Sequence, residues 1–223
     1  MGLKERKRRE KAERRKQILD AARQLLFQKG LNGTTISQIA KIAELGVGTI
    51  YFYYANKEEV FVALQEEGLK ILLKKIKTAH DDSLNPETRL INMAQAYLAF
   101  SEENKNYFDV INYFLSSPEV VFASDLKEQI YQHGNNILAY IEHTIVAGTD
   151  VGLFKKVDPR RSSLTLWATM HGLIQFKKLQ NTLLQNDSHQ QMVEFAIHQF
   201  IENLKSQRNK LRPTYTGWEH NKL

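Results

Sequence analysis

Apolar residues recur along this chain at intervals of three and four almost throughout, the period of a helix rather than of a strand. Ile18, Ala22, Leu25 and Leu26 make one stripe, which Gly30 ends as a C-terminal cap. Ile36, Ile39, Ala40 and Ala43 make one face of a two-turn helix, "ELG" breaks it, and "VGTIYFYY" begins another short helix. Val60, Phe61, Leu64, Leu69, Leu72, Leu73 and Ile76 then mark a long helix over residues 57–78. The same period predicts helices over 86–103, 106–115, 125–147, 159–181 and from 187 to about 206. Start signals support these limits. Thr35 with Gln38 and Asn56 with Glu59 fit capping boxes, and so does Asp187 with Gln190. Asn85-Pro86 and Asp158-Pro159 place proline at the first helical position. "SSPE" and "GTDVGLFKKVDP" read as breaks, and the tail, residues 207–223, has too little apolar content to be ordered throughout. The prediction is an all-α chain of about nine helices.

One stretch resists a purely structural reading. In "YFYY" four aromatics stand side by side, Tyr51, Phe52, Tyr53 and Tyr54. A helix turns about 100° per residue, so they cannot all face one core. Two short helices joined by a tight turn have the layout of a helix-turn-helix, whose second helix lies in the DNA major groove. On that helix Ile50 and Tyr54 share the inward face, leaving Tyr51 and Tyr53 to project elsewhere. A tyrosine joins a flat apolar ring to a hydroxyl that suits a phosphate oxygen or a base edge. Gly48 and Thr49 sit in the first turn, where a missing side chain permits close approach and free amides bind phosphate. Lys57, opening the next helix, is a phosphate contact. The structural alternative is that these tyrosines brace a helical corner.

Charge points the same way. The chain of 223 residues carries a formal charge of +6. Residues 4–16 hold nine Lys/Arg, Arg14 and Arg15 among them, and three Glu; the rest of the chain is balanced. Such an arm binds polyanions, nucleic acid before acidic membrane. It lacks bulky apolar residues until Ile18, so it makes no amphipathic membrane anchor. No apolar run approaches a membrane span, and "MGLKER" lacks the sixth-position Ser or Thr of a myristoylation site. The chain has no cysteine, which excludes disulfides and thiolate metal sites and makes the cytoplasm the default compartment. No Ser/His/acid motif and no phosphate-cradling glycine loop suggests an enzyme. The seven histidines are scattered, so no metal site or cofactor is expected.

Residues 30–61, "GLNGTTISQIAKIAELGVGTIYFYYANKEEVF", closely resemble the N-terminal domain of the TetR family of transcriptional regulators. The shared pattern runs through Gly30, Thr35, Ile39-Ala40, Gly48-Thr49-Ile50-Tyr51, Tyr53 and Lys57-Glu58-Glu59. "VDPRRSSLTLWATMHGLIQF" looks like the family's penultimate helix. The resemblance implies that Thr35 caps the second helix near a phosphate, that Gly48, Thr49, Tyr51 and Tyr53 contact DNA, and that Lys57 holds the backbone. Three positions depart from the pattern. Glu44 replaces the usual turn glycine and is strained if that position needs positive φ. Tyr54 replaces a phenylalanine and needs a hydrogen-bond partner if buried. Phe52 replaces a frequent polar residue, and fits either a thymine methyl or packing against the arm.

The resemblance also implies that the remainder senses a ligand and dimerises. The expected organisation is a basic arm and DNA-binding domain over 1–61, a helical sensor over 62–206 and the tail. The sequence allows this independently. The helix from Pro159 is apolar around most of its circumference, with Leu164, Trp167, His171 and Gly172 as interface candidates. The last helix is similar and offers Phe195 and Phe200. Paired with their symmetry mates, the two would make a four-helix interface. Tyr97, Phe100, Phe108, Tyr113, Tyr131, Tyr140 and Trp167 are candidates to line a cavity for an apolar or aromatic effector. The expected function is that of a ligand-responsive repressor. It binds a palindromic operator in double-stranded DNA as a homodimer, and a small molecule releases it. A non-specific or architectural DNA-binding protein is the alternative.

Overall fold

A computed structural model of the chain describes residues 2–116, 124–176 and 188–205. The expectations for the helix end at 181, the cap at Asp187 and the tail 207–223 lie outside the described residues. Among the described residues nine helices run in order: α1 (Leu3–Lys29), α2 (Ile36–Ile42), α3 (Val47–Tyr53), α4 (Lys57–Ala79), α5 (Pro86–Glu103), α6 (Lys105–Ser116), α7 (Ser124–Asp150), α8 (Pro159–Gln175) and α9 (His189–Leu204). No strand appears among the described residues, and the one bridge pairs Phe154 with Lys205. The fold is all-α, with a helix-turn-helix near the N-terminus followed by longer helices.

Local chemistry sets these limits. Thr35 Oγ1 accepts the Gln38 N–H, and the Gln38 side chain accepts the Thr35 N–H, closing the box at α2. At α4 the Asn56 side chain accepts from Glu59 N–H at 2.8 Å, but the Glu59 carboxylate reaches back to Ala55 N–H, not to Asn56. Asn85 and Asp158 cap α5 and α8 ahead of their prolines. The cap of α9 is Ser188 with Gln191, one residue later than the sequence reading places it. "DSHQQ" holds two overlapping boxes, and the serine one forms. α7 runs three residues past the expected end, to Asp150.

The described residues fall into two compact units. One takes residues of Met1–Lys74 and Phe100–Asn136, the other those of Lys75–Ala99 and Ile137–Leu223. The first unit's core joins Ile18, Leu19, Ala22, Leu25 and Leu26 of α1 to Ile36, Ile39 and Ala40 of α2. Ile50, Val60, Phe61, Leu64 and Val110 complete it. In the second unit α8 packs on α9. Leu166, Met170 and Ile174 are buried on α8, and Val193, Ile197 and Ile201 on α9. A buried Lys205 ammonium ties the end of α9 to Glu202 at 2.7 Å and to Glu87 at 3.2 Å. No described helix is long and apolar enough to cross a membrane.

Candidate nucleic-acid interface

The turn between α1 and α2 is tied down at several points. Gly30 closes α1 with φ 70°, a conformation that costs glycine nothing. The buried Thr34 hydroxyl donates to Gly30 C=O at 2.8 Å. Lys57 reaches across from α4 and donates to the carbonyls of Leu31 at 3.2 Å and Thr34 at 3.3 Å. Lys57 therefore clamps the approach to α2 in this structure. Tyr113 joins the same turn from α6, its hydroxyl accepting the Leu31 N–H at 3.1 Å. Neither tie is legible in the sequence, because both cross long separations along the chain.

The turn between α2 and α3 carries the strain foreseen for it. Glu44 has φ 55°, and no other described non-glycine residue has positive φ. Its side chain is exposed, which spares the core a charge. α3 is then fixed by one buried face. Ile50 is fully buried, and Tyr54, just past the helix end, is 5% exposed. The Tyr54 hydroxyl is buried without a hydrogen-bond partner. Burial raises its pKa, and the nearby Arg15 charge pulls the other way. The Arg15 guanidinium lies 5.4 Å from the Tyr54 ring centroid.

The opposite face of α3 stands open. Val47, Tyr51 and Phe52 are exposed, Phe52 at 78%. A Cβ added at Gly48 would meet nothing within 4 Å, so the protein's own packing does not demand glycine there. Val47 belongs to this face by its four-residue spacing from Tyr51, a signal the sequence reading passed over. Thr49 is half-buried. Tyr53 packs on the core edge, its ring 5.2 Å from that of Phe52 in an edge-to-face pair. Thr35 is exposed, with Oγ1 engaged in the cap. Arg14, in the arm, donates to Gln17 at 3.0 Å. The open face is thus flat and aromatic, with the Tyr51 hydroxyl at its edge and Arg15 over Tyr54 just past the helix end; rings, hydroxyls and cations are the groups that meet base edges and a sugar-phosphate backbone.

The cavity and interface candidates are dispersed. Phe100, Phe108, Tyr113 and Tyr131 belong to the first unit, and Tyr97, Tyr140 and Trp167 to the second. Phe100 and Phe108 are buried as an edge-to-face pair, whereas Tyr131 is 60% exposed. Tyr140 packs edge-to-face on His80 at 5.2 Å. Tyr97 is buried, its hydroxyl 2.7 Å from His171 Nδ1, and Trp167 lies 5.7 Å from the same imidazole. Burial raises the Tyr97 pKa far above the usual phenol range and lowers that of His171. Leu164 and Phe195 are exposed, Phe200 is half-buried, and Gly172 faces open space. No described group of His, Asp and Glu could hold a metal ion.

Comparison with known proteins accords with the geometry. Residues 18–64 match the profile of bacterial regulatory proteins of the tetR family. An HTH-type transcriptional regulator of Bacillus subtilis, YhgD, itself uncharacterised, is 32% identical over 155 residues, spanning 69% of this chain and 78% of that one. The fatty acid metabolism regulator protein of Bacillus subtilis is 22% identical over the same shares. In fold, the chain is similar to the transcriptional regulator FadR from Bacillus subtilis, solved in complex with stearoyl-CoA. The TM-score is 0.70 at 18% identity, covering 84% of this chain and 98% of that one. The chain belongs to the TetR family and is a DNA-binding transcriptional regulator.

Proposed function

We propose that the protein is a ligand-responsive repressor that binds a palindromic operator as a homodimer and leaves it when a small apolar or aromatic molecule binds the helical sensor. The observation that carries the DNA reading is the open face of α3, with Tyr51 and Phe52 exposed on a helix otherwise anchored by Ile50. Gly48, Thr49, Tyr51, Phe52 and Tyr53 meet the groove and its phosphates, Thr35 and Lys57 the flanking backbone, and Arg14 and Arg15 the phosphates beyond. The role is binding, exercised in the cytoplasm.

Dimerisation rests on α8 and α9. Leu164 and Phe195 stand exposed beside half-buried Trp167, His171 and Phe200, and Gly172 leaves room for a close partner. Two such pairs bury this face in a four-helix interface. A long-chain acyl compound is the first effector to test, because a relative is named for fatty acid metabolism. The effector must bind the DNA-incompetent state better by roughly 1–3 kcal/mol to act as a switch.

The test is selection of duplexes from a randomised pool, followed by anisotropy titration of the winners. A two-fold repeat should emerge, and Thr49→Ala and Tyr51→Ala should lower the ratio of operator to random binding. Absence of any sequence enrichment would leave the architectural alternative standing. Sedimentation equilibrium that returns 25.9 kDa across the micromolar range would remove the dimer.

A further inference from the structure

We infer that the first four turns of α1 form a second, sequence-blind DNA site: a rigid cationic stripe that grips phosphates beyond the stretch read by α3. The inference rests on the DNA-binding reading and adds a surface to it. The basic arm is continuous helix from Leu3, so its charges have fixed directions. The core begins only at Ile18, and residues 2–16 are all exposed. Residues 3–17 therefore extend α1 beyond its core by about 22 Å.

The direction of the charges is the informative part. Lys4, Lys7, Arg8, Lys11, Arg14 and Arg15 continue, at three- and four-residue steps, the line of Ile18, Ala22 and Leu25. At about 100° per residue these six fall within an arc of about 120°, on the side by which α1 buries itself further along. That arc contains no acid. Glu5, Glu10 and Glu13 lie on the far side with Arg6, Arg9 and Lys16, where charge balances and Arg6 pairs with Glu10 at 2.9 Å. Arg15, at the inner end of the stripe, lies over Tyr54, so the stripe begins where α3 ends.

Such an arrangement does nothing for the free helix. Like charges spaced by three and four repel along the whole stripe, and a lysine in the first turn opposes the helix dipole. No member of the stripe pairs with an acid among the described residues. A surface that disfavours its own helix, on the side that elsewhere is covered, is relieved by a regular polyanion laid along it. Duplex DNA, with its evenly spaced phosphates, has that form and that periodic charge.

Two triple variants of the full chain remove equal charge from opposite faces: Lys4→Gln, Lys7→Gln and Lys11→Gln from the stripe, Arg6→Gln, Arg9→Gln and Lys16→Gln from the far side. Each is titrated on a labelled random-sequence duplex of about 40 base pairs at several salt concentrations, a length ample for one dimer. Summed over the two arms of a dimer, the stripe triple removes about six phosphate contacts and should lower the salt slope by about 5.4, with a loss of affinity of at least about 100-fold at physiological salt. The far-side triple should change the slope by less than about 1. Equal losses from both triples would mean that total charge acts and the stripe does not, overturning the inference. So would a wild-type slope from the stripe triple, or loss only of binding to anionic phosphatidylglycerol vesicles run in parallel. If the wild type binds no duplex at all, the DNA-binding reading fails first. Melting curves should show both triples folded, since none of the six residues touches the core, with the stripe triple at least as stable as wild type.

Discussion

Two of the surfaces that leave large apolar side chains in water do so differently. On α3 the exposed residues are Val47, Tyr51 and Phe52, crowded onto one face of a seven-residue helix near a strongly basic rod. On α8 and α9 they are Leu164 and Phe195, spread over two long helices. Burying either face would release apolar surface; on the first, two aromatic rings stand together with an open backbone at Gly48, whereas on the second, single aliphatic and aromatic side chains are spaced among Arg161, Thr165 and Thr169. In the function proposed above, the first meets a polyanion with flat base edges and the second a copy of itself. Exposed hydrophobic area alone therefore does not define a partner; the polar groups and charges around it do.

The sharpest way to break this comparison is by truncation. Ile39→Ala, at a fully buried site in α2, should cost about 2–5 kcal/mol in denaturant unfolding at any protein concentration. Phe195→Ala, at a site 56% exposed in the single chain, should cost within about 0.5 kcal/mol in dilute protein. Its cost should rise as concentration drives association, because stability is then linked to assembly. A Phe195 loss as large as that of Ile39 at every concentration would show that the α9 face is core. The next effect tests two caps of one kind in the two units. Thr35→Ala and Ser188→Ala should each cost about 1 kcal/mol, read by the same unfolding curves, since each removes one side of a closed capping box.

Those caps also show what the sequence could and could not convey. The start of α2 was legible at Thr35 because one box fits and the apolar face begins beside it. The start of α9 is ambiguous in the sequence, because two boxes are offset by one residue and composition does not choose between them. The outward turn of Tyr51 follows from helical geometry and the inward position of Ile50, whereas the residue type of Phe52 leaves open whether it faces a base or packs against the arm. Tyr53 did not follow, because its ring folds back to the core edge, a packing choice set by neighbours distant in sequence. Lys57 shows the same limit. Its charge and position suit a phosphate, and its ammonium also lies on two backbone carbonyls of the α1–α2 turn, a second role that its place in the sequence does not reveal. Aromatic content in the middle of the chain suggested a cavity, but identity says nothing about which unit each ring joins.

A smaller effect should run the other way. Glu44 holds φ 55° without a glycine. An L-residue in that region costs roughly 1–2 kcal/mol, and glycine would recover this less the greater entropy it loses on folding, roughly 0.5–1 kcal/mol. Glu44→Gly should therefore stabilise by roughly 0–1.5 kcal/mol, centred below the cost of a lost cap, in the same unfolding assay. It also removes an exposed acid next to α3, so DNA affinity should rise while the operator preference stays. A destabilised Glu44→Gly protein would mean that the carboxylate makes a contact that outweighs the strain.

The smallest expected effect lies in the second unit and depends on pH. His171 is half-buried between Tyr97 and Trp167, and burial lowers its pKa below the ordinary 6.5. The native state then holds the ring neutral where the unfolded chain would protonate it. In that range the unfolded state binds more protons, so stability rises with pH. The contribution is present above pH 6.5 and is lost as pH falls through the lower folded value. The direction is opposite to that of a histidine paired with a carboxylate, whose stabilisation would grow on acidification. Wild type and His171→Gln should therefore diverge between pH 7.5 and 5 when unfolding free energies are compared, the wild type losing more. Other histidines titrate in both proteins, so the difference between the curves, not the slope of either, isolates this ring. Solvent reaches part of the imidazole and screens the effect, which keeps it below that of a capping loss. Parallel curves would mean that the ring accepts its proton in place, with Tyr97 Oη turning from donor to acceptor at Nδ1. The second unit would then carry no acid sensitivity at this position.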